Sequence, residues 1–193
     1  MDRFYQSLLM AGTLLFSWLA MMTLHETGHV MHTIACGGAV ERVVLPVFGF
    51  SRTDVAVNPR PLFVAWGGVV WGSLLPLGLL AVASWWTPRY AFLARFFAGF
   101  CLIANGAYLA GGAWLAAGDA ADLLRLGAQR WQLLAFGLPA IGVGLALWNG
   151  LGPHFGLASR GGRVDRRASI AIAVASGGLA IIDVAVGLMQ ARM

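Results

Sequence analysis

The chain has 193 residues, of which 59% are hydrophobic and 11% charged, with 26 glycines and a mean hydropathy of +0.76. That balance excludes a soluble globular domain and describes an integral membrane protein. The net charge of +5 comes from thirteen arginines spread through short polar segments without a basic stripe. Anionic lipid headgroups suit such charges better than nucleic acid does.

In chain order, five apolar runs are long enough to cross a bilayer. The first extends from Ser7 to Cys36. At a helical rise of 1.5 Å per residue it would be roughly 45 Å long, which exceeds the hydrocarbon core and calls for tilt or protrusion. Inside it stands His25-Glu26-Thr27-Gly28-His29, an H-E-x-x-H pattern. On a helix, residues i and i+4 share a face about 6 Å apart along the axis, so His25 and His29 can grip one zinc ion. Glu26 then stands beside the water that such an ion activates. Three ionisable side chains in one membrane helix are costly, and their default reading is a functional site turned toward the protein interior. His32 shares the face but lies about 10 Å from His25 along the axis, too far for both to hold one ion, and is expected to line the cavity. Cys36 and Cys101 have no partner at metal-ligand spacing and read as small buried hydrophobes.

From Ala39 to Val57 the pattern changes to a Val- and Phe-rich alternation, which predicts a β-hairpin with strands Val40 to Phe48 and Arg52 to Val57 and a turn at Gly49 to Ser51. Such backbone is tolerated at membrane depth only where protein or a water-filled cavity satisfies it. The second span, Leu62 to Trp85, carries Gly67, Gly68, Gly72 and Gly78. The third runs from Ala91 past Ala117 and carries Gly99, Gly106, Gly111 and Gly112. These glycines predict helix faces that approach closely. A fourth span covers Trp131 to Leu147, and a polar loop from Gly150 to Arg167 contains Arg160, Gly161-Gly162 and a solvent-facing His154. The fifth, Ala168 to Met189, contains Asp183, read as a buried polar contact with a neighbouring helix.

A catalytic zinc site takes three protein ligands and one open position, so the histidine pair needs a partner. If the spans alternate in direction, the C-terminal portions of the first and third lie at the same membrane face. His29 is eight residues before Gly37 and Asp119 eight before Gly127, each glycine a helix stop, so their depths match. Asp119 is the better placed ligand because it lies deeper in the span. Asp122, one turn on, competes with it, and either can instead cap a helix or pair with Arg125. Asn105, on roughly the same face as Asp119, would lie about 21 Å away along an unbroken helix. It reads as an interhelical hydrogen bonder unless Gly111-Gly112 interrupts the helix.

These elements resemble the site-2 protease family of intramembrane zinc metallopeptidases, over Leu14 to about Leu126. The resemblance rests on the His25 to His29 motif, the Gly37-Gly38 break with a following membrane-associated β segment, the glycine-rich helix at Trp66-Gly67-Gly68, and an aspartate near the end of the following helix. It departs from the family in having Ala120 after the aspartate, where glycine is common, and Gly67-Gly68 where a Gly-Pro pair is usual. The resemblance implies that His25, His29 and Asp119 bind Zn2+, that Glu26 is the catalytic acid and base, and that a transmembrane protein or peptide is cut within or beside the bilayer.

The fold expected is an α-helical membrane bundle of about five spans with a membrane-associated β-hairpin between the first two. It forms a single polytopic domain over 1–193, with a metalloprotease-like core at 7–126 and additional helices at 131–193. A minimal, multi-pass member of the family in the cell membrane of a bacterium is expected. Two rival readings are a catalytically silent protein that binds or sequesters a transmembrane partner, and a membrane metallohydrolase of lipid or prenylated peptide. Glu26 favours catalysis, since a binding module has no need of a proton carrier beside an ion.

Overall fold

The computed structural model describes residues 2–157 and 163–190. Five of its helices are long and apolar enough to span a membrane: α1 (Asp2–Ala35), α2 (Pro61–Trp86), α3 (Ala91–Leu115, preceded by a 3-10 turn at Pro88–Tyr90), α5 (Arg130–Trp148) and α6 (Arg166–Gln190). A short helix, α4 (Gly118–Arg125), lies between α3 and α5, and two antiparallel strands, β1 (Ala39–Val44) and β2 (Arg52–Val57), form the hairpin between α1 and α2. Arg160, Gly161 and Gly162 of the predicted polar loop lie outside the described residues.

Helix ends follow local chemistry. Past Ala35 the chain turns at Gly37, whose φ of 77° only glycine adopts cheaply; Gly38 N–H then bonds to Thr33 O at 2.8 Å and Gly37 N–H to Ile34 O at 3.0 Å. Gly127, with φ 100°, ends α4 by the same pair of bonds, Ala128 N–H to Leu123 O and Gly127 N–H to Leu124 O. Both predicted glycine stops are therefore present. The third helix does not run past Ala117. It ends at Leu115, because Ala116 takes a left-handed φ of 47° and Gly118 follows at 54°, so Asp119 sits in the first turn of a separate helix. The first strand also ends sooner than expected, at Val44 rather than Phe48, since Pro46 offers no N–H to the ladder.

In lipid, apolar faces gain nothing by leaving their solvent, so helices associate through close packing and hydrogen bonds. The closest packing joins α1 to α2, where a methyl on Gly28 would meet Gly67 O and one on Gly67 would meet Gly28 O. Gly99 against Gly144, and Gly106 against Gly137, bring α3 to α5 in the same manner. Gly78 and Gly111 face open space, so these two predicted packing glycines pack nothing. On the other side of α1, Ser176 donates to Gly12 O at 2.7 Å and Arg166 pairs with Asp2 at 3.0 Å, so α6 runs parallel to α1. Asp183 is buried as expected, yet its Oδ2 has no hydrogen-bond partner among the described residues. Exposed Trp85 and Trp86 end α2, while exposed Trp114 and Trp131 flank α4 at the opposite end, as in interfacial aromatic belts.

Alanine at Gly28 should force α1 and α2 apart and cost about 1–3 kcal/mol, whereas alanine at Gly78 should be neutral or slightly stabilising. Reversible unfolding in mixed micelles measures both, and equal losses at the two sites would contradict this packing.

Candidate metal centre

The motif helix presents its two imidazoles to the interface with α2. Glycine is required opposite them: a methyl on Gly68 would collide with the Nε2 atoms of both His25 and His29. The third group arrives from α4, which the break at 116–118 turns back onto α3 so that Ala120 lies against Gly112. Leu123 and Ala120 bury into a cluster with Val69, Leu109, Ala113 and Leu133, fixing α4 against α2, α3 and α5. Tyr108 Oη accepts the Asp119 backbone N–H at 2.9 Å. Asp119 Oδ2 then lies 2.7 Å from His25 Nε2 and 3.2 Å from His29 Nε2, with the two Nε2 atoms 3.3 Å apart.

Hydrogen bonding fixes what these atoms are. Asn105 Nδ2 donates to Cys101 O at 2.9 Å, so its Oδ1 is the atom 2.8 Å from His25 Nδ1, and that nitrogen must carry the proton. His29 Nδ1 faces Val64 O at 2.9 Å, an acceptor only, and must donate as well. In the neutral imidazoles both Nε2 lone pairs therefore point at each other and at a carboxylate oxygen, an arrangement that demands a cation between them. A proton can fill that demand. A metal ion fits it as well, since a tetrahedral centre with bonds of about 2.0–2.1 Å has edges of roughly 3.3 Å. Burial opposes ionisation of Asp119, but where a proton fills the gap, hydrogen bonding from His25 and His29 outweighs that burial and holds the carboxyl well below the usual carboxylate range. His25, His29 and Asp119 thus form a buried group that can hold a metal ion.

Glu26 is 3% exposed and points beside this group. Its Oε1 accepts Ser51 Oγ–H and its Oε2 accepts Thr53 Oγ1–H, each at 2.6 Å. The group lines a cavity of about 770 Å³ with Trp18, Met21, Met22, Val64 and Tyr108, closed on one side by residues 50–55 of the hairpin.

Of the residues singled out in the sequence, His25, Glu26, His29 and Asp119 come together. Asp122 does not: half exposed, it pairs with Arg125 at 2.8 Å. His32 donates Nδ1–H to Phe63 O at 2.6 Å and stacks on the Phe63 ring, which docks it on α2 rather than with the His25, His29 and Asp119 group. His154 is exposed and stacks on Phe92. Cys101 is buried as expected, but Cys36 is only half-buried. Asn105 departs most from expectation, because α3 is continuous through Gly111-Gly112 and yet α4 folds back, so Asn105 and Asp119 both touch His25. Tyr108, Ser51 and Thr53 were not anticipated. The alternation Ser51-Arg52-Thr53, which puts both hydroxyls on one side of the chain where it enters β2, was the available signal. No protein-family model matches the chain, and neither curated proteins nor solved structures give a match.

Replacing Asn105 by Leu should weaken metal binding by about 10–100-fold, as loss of a ligand-orienting partner does. Asp119→Asn should weaken it more, and Asp122→Asn should leave it unchanged. Competition with a chromophoric chelator gives all three constants, and equal effects at Asp119 and Asp122 would overturn the ligand assignment.

Proposed function

We propose that the chain is an intramembrane zinc metalloprotease that hydrolyses peptide bonds of membrane-spanning substrates. The observation that carries this reading is the convergence of two tautomer-locked imidazoles and a carboxylate beside a second, separately held carboxylate, inside a cavity among membrane-crossing helices. A donor set of two nitrogens and one oxygen suits zinc, whereas magnesium and calcium favour all-oxygen sites. Three protein ligands leave a place for solvent, as in catalytic rather than structural zinc centres. The resemblance of the His25 to Asp119 region to the site-2 protease family points the same way.

Zinc, when held by His25, His29 and Asp119, supplies a Lewis acid that acidifies water and polarises a carbonyl. The chain's own groups do the rest. Asn105 and the Val64 carbonyl keep both imidazoles turned toward the centre, and Tyr108 fixes the start of the helix that carries Asp119. Glu26, with one donor on each oxygen, retains an acceptor site on each. One of these takes the proton of the attacking water and returns it to the leaving amide nitrogen, so that the amide C–N bond breaks to give an acid and an amine. A helical substrate must first unwind, and the hairpin beside the cavity offers an extended edge with which the opened backbone can pair.

Gently purified protein should carry about one zinc per chain by elemental analysis, and less than about 0.2 would remove the basis for the assignment. In lipid vesicles it should cleave membrane-spanning peptides. Glu26→Gln should lower kcat by about 10²–10⁴-fold with the metal retained, and His25→Ala or His29→Ala should lose metal and activity together. Lipid or prenylated substrates turned over in preference to peptides would refute the protease reading while leaving the metal centre intact.

A further inference from the structure

Glu26 is held by two residues that lie 25 and 27 positions further along the chain. Its backbone belongs to α1, but both of its carboxylate oxygens are held by hydroxyls from the hairpin, Ser51 Oγ and Thr53 Oγ1, at 2.6 Å each. Strand periodicity explains the pairing, because residues two apart project to one side of extended chain while the intervening Arg52 turns outward to Asp54. The cross-strand bond from Arg42 to the same Asp54, at 2.6 Å, ties β2 to β1 directly behind the two hydroxyls. An ionised carboxylate at 3% exposure otherwise has little solvent to stabilise it, and two charge-assisted donors replace that solvent.

The clamp also fixes direction. A glutamate on a helix has three rotatable bonds, and its oxygens can turn away from the cavity or swing toward the ligand cluster. Hydroxyls bound to both oxygens select one orientation and leave each oxygen its remaining acceptor site. The carboxylate is not among the groups that converge on the ion, which comprise His25, His29 and Asp119.

We infer that Ser51 and Thr53 are positioning residues for the proton-carrying Glu26, so that the hairpin completes the reaction centre besides flanking it. This rests on the protease reading, and the test separates the two. Thr53→Val keeps the β-branch and volume and removes the hydroxyl; Thr53→Ser keeps the hydroxyl and removes the branch. If the hydroxyl is what matters, Val should lower kcat by about 10–100-fold with KM and zinc content unchanged, and Ser should stay within about threefold of wild type. A purely structural strand role gives the opposite order. Ser51→Ala should act in the same direction as Thr53→Val.

A second measurement needs no turnover. The chain has two glutamates, Glu26 and Glu41, so ¹³C-carboxyl glutamate incorporated in a Glu41→Gln background labels Glu26 alone. Glu41 is exposed on β1, away from the site. The labelled carboxylate stretch in the infrared should shift in Thr53→Val and stay in place in Thr53→Ser. An unmoved band in Thr53→Val, or a moved band with undiminished kcat, would overturn the inference. Faster turnover in Thr53→Val would overturn it too, by making the hydroxyls a restraint rather than a support. A zinc-loaded wild-type chain that cleaves no membrane-spanning peptide defeats the protease reading instead, and the infrared pair still decides whether the hydroxyls hold the carboxylate.

Discussion

Three electron-rich atoms, the Nε2 of His25, the Nε2 of His29 and the Oδ2 of Asp119, face one another within 3.3 Å, with both histidines buried. Their mutual repulsion is relieved only by a cation, and much of the surrounding structure serves to keep them there. The acceptors behind the imidazoles, Asn105 Oδ1 and Val64 O, fix the tautomer that exposes the lone pairs. Glycine at 68 is what lets α2 lie against the rings, because any side chain there would occupy the space of the nitrogens. A protein that merely packed two histidines between helices would have no reason to lock both Nδ1 protons outward.

Bringing the third group to that point is a topological task. Asp119 is 94 residues from His25, and a straight third helix would carry it beyond the level of Asn105. The chain instead leaves helical geometry at Ala116 and re-enters at Gly118 with a reversed course, so a short helix lies back along α3. Its first turn favours a carboxylate, through the exposed N–H groups at the helix start. Its apolar side, Ala120 and Leu123, is buried against three other helices, which holds Asp119 in place without a covalent tether. The hairpin solves a comparable problem for Glu26, reaching from outside the helices to place two hydroxyls on a carboxylate that α1 alone cannot orient. Irregular backbone at this depth is tolerated because it lines a cavity.

The bundle gains close contact more than apolar burial. Glycine pairs bring α1 to α2 and α3 to α5 near backbone contact, while large apolar residues such as Leu74, Leu79 and Ile181 remain exposed on outer faces where lipid is their solvent. The histidine, glutamate and asparagine side chains point inward at the α1–α2–α3 junction. The candidate site is thereby concentrated at one end of the bundle, near the exposed tryptophans that flank α4.

Length, hydropathy and local grammar determined much of this molecule by themselves. Five spans, a hairpin between the first two, the glycine stops at Gly37 and Gly127, and the face shared by His25 and His29 follow from periodicity and backbone sterics, which are local properties. Depth in a third span favours Asp119 over Asp122, but that span ends at Leu115, and it is the fold-back of α4 that brings Asp119 and not Asp122 to the histidines. Tertiary structure alone decided the rest. That α3 stops at Leu115 and its successor doubles back depends on a left-handed alanine at 116 and on the burial of Ala120 and Leu123 against other helices, which no propensity foretells. Asn105, Tyr108, Ser51 and Thr53 acquire their roles only through contacts between distant elements, for a hydrogen-bond partner is set by where the chain returns in space and not by its spacing along the sequence.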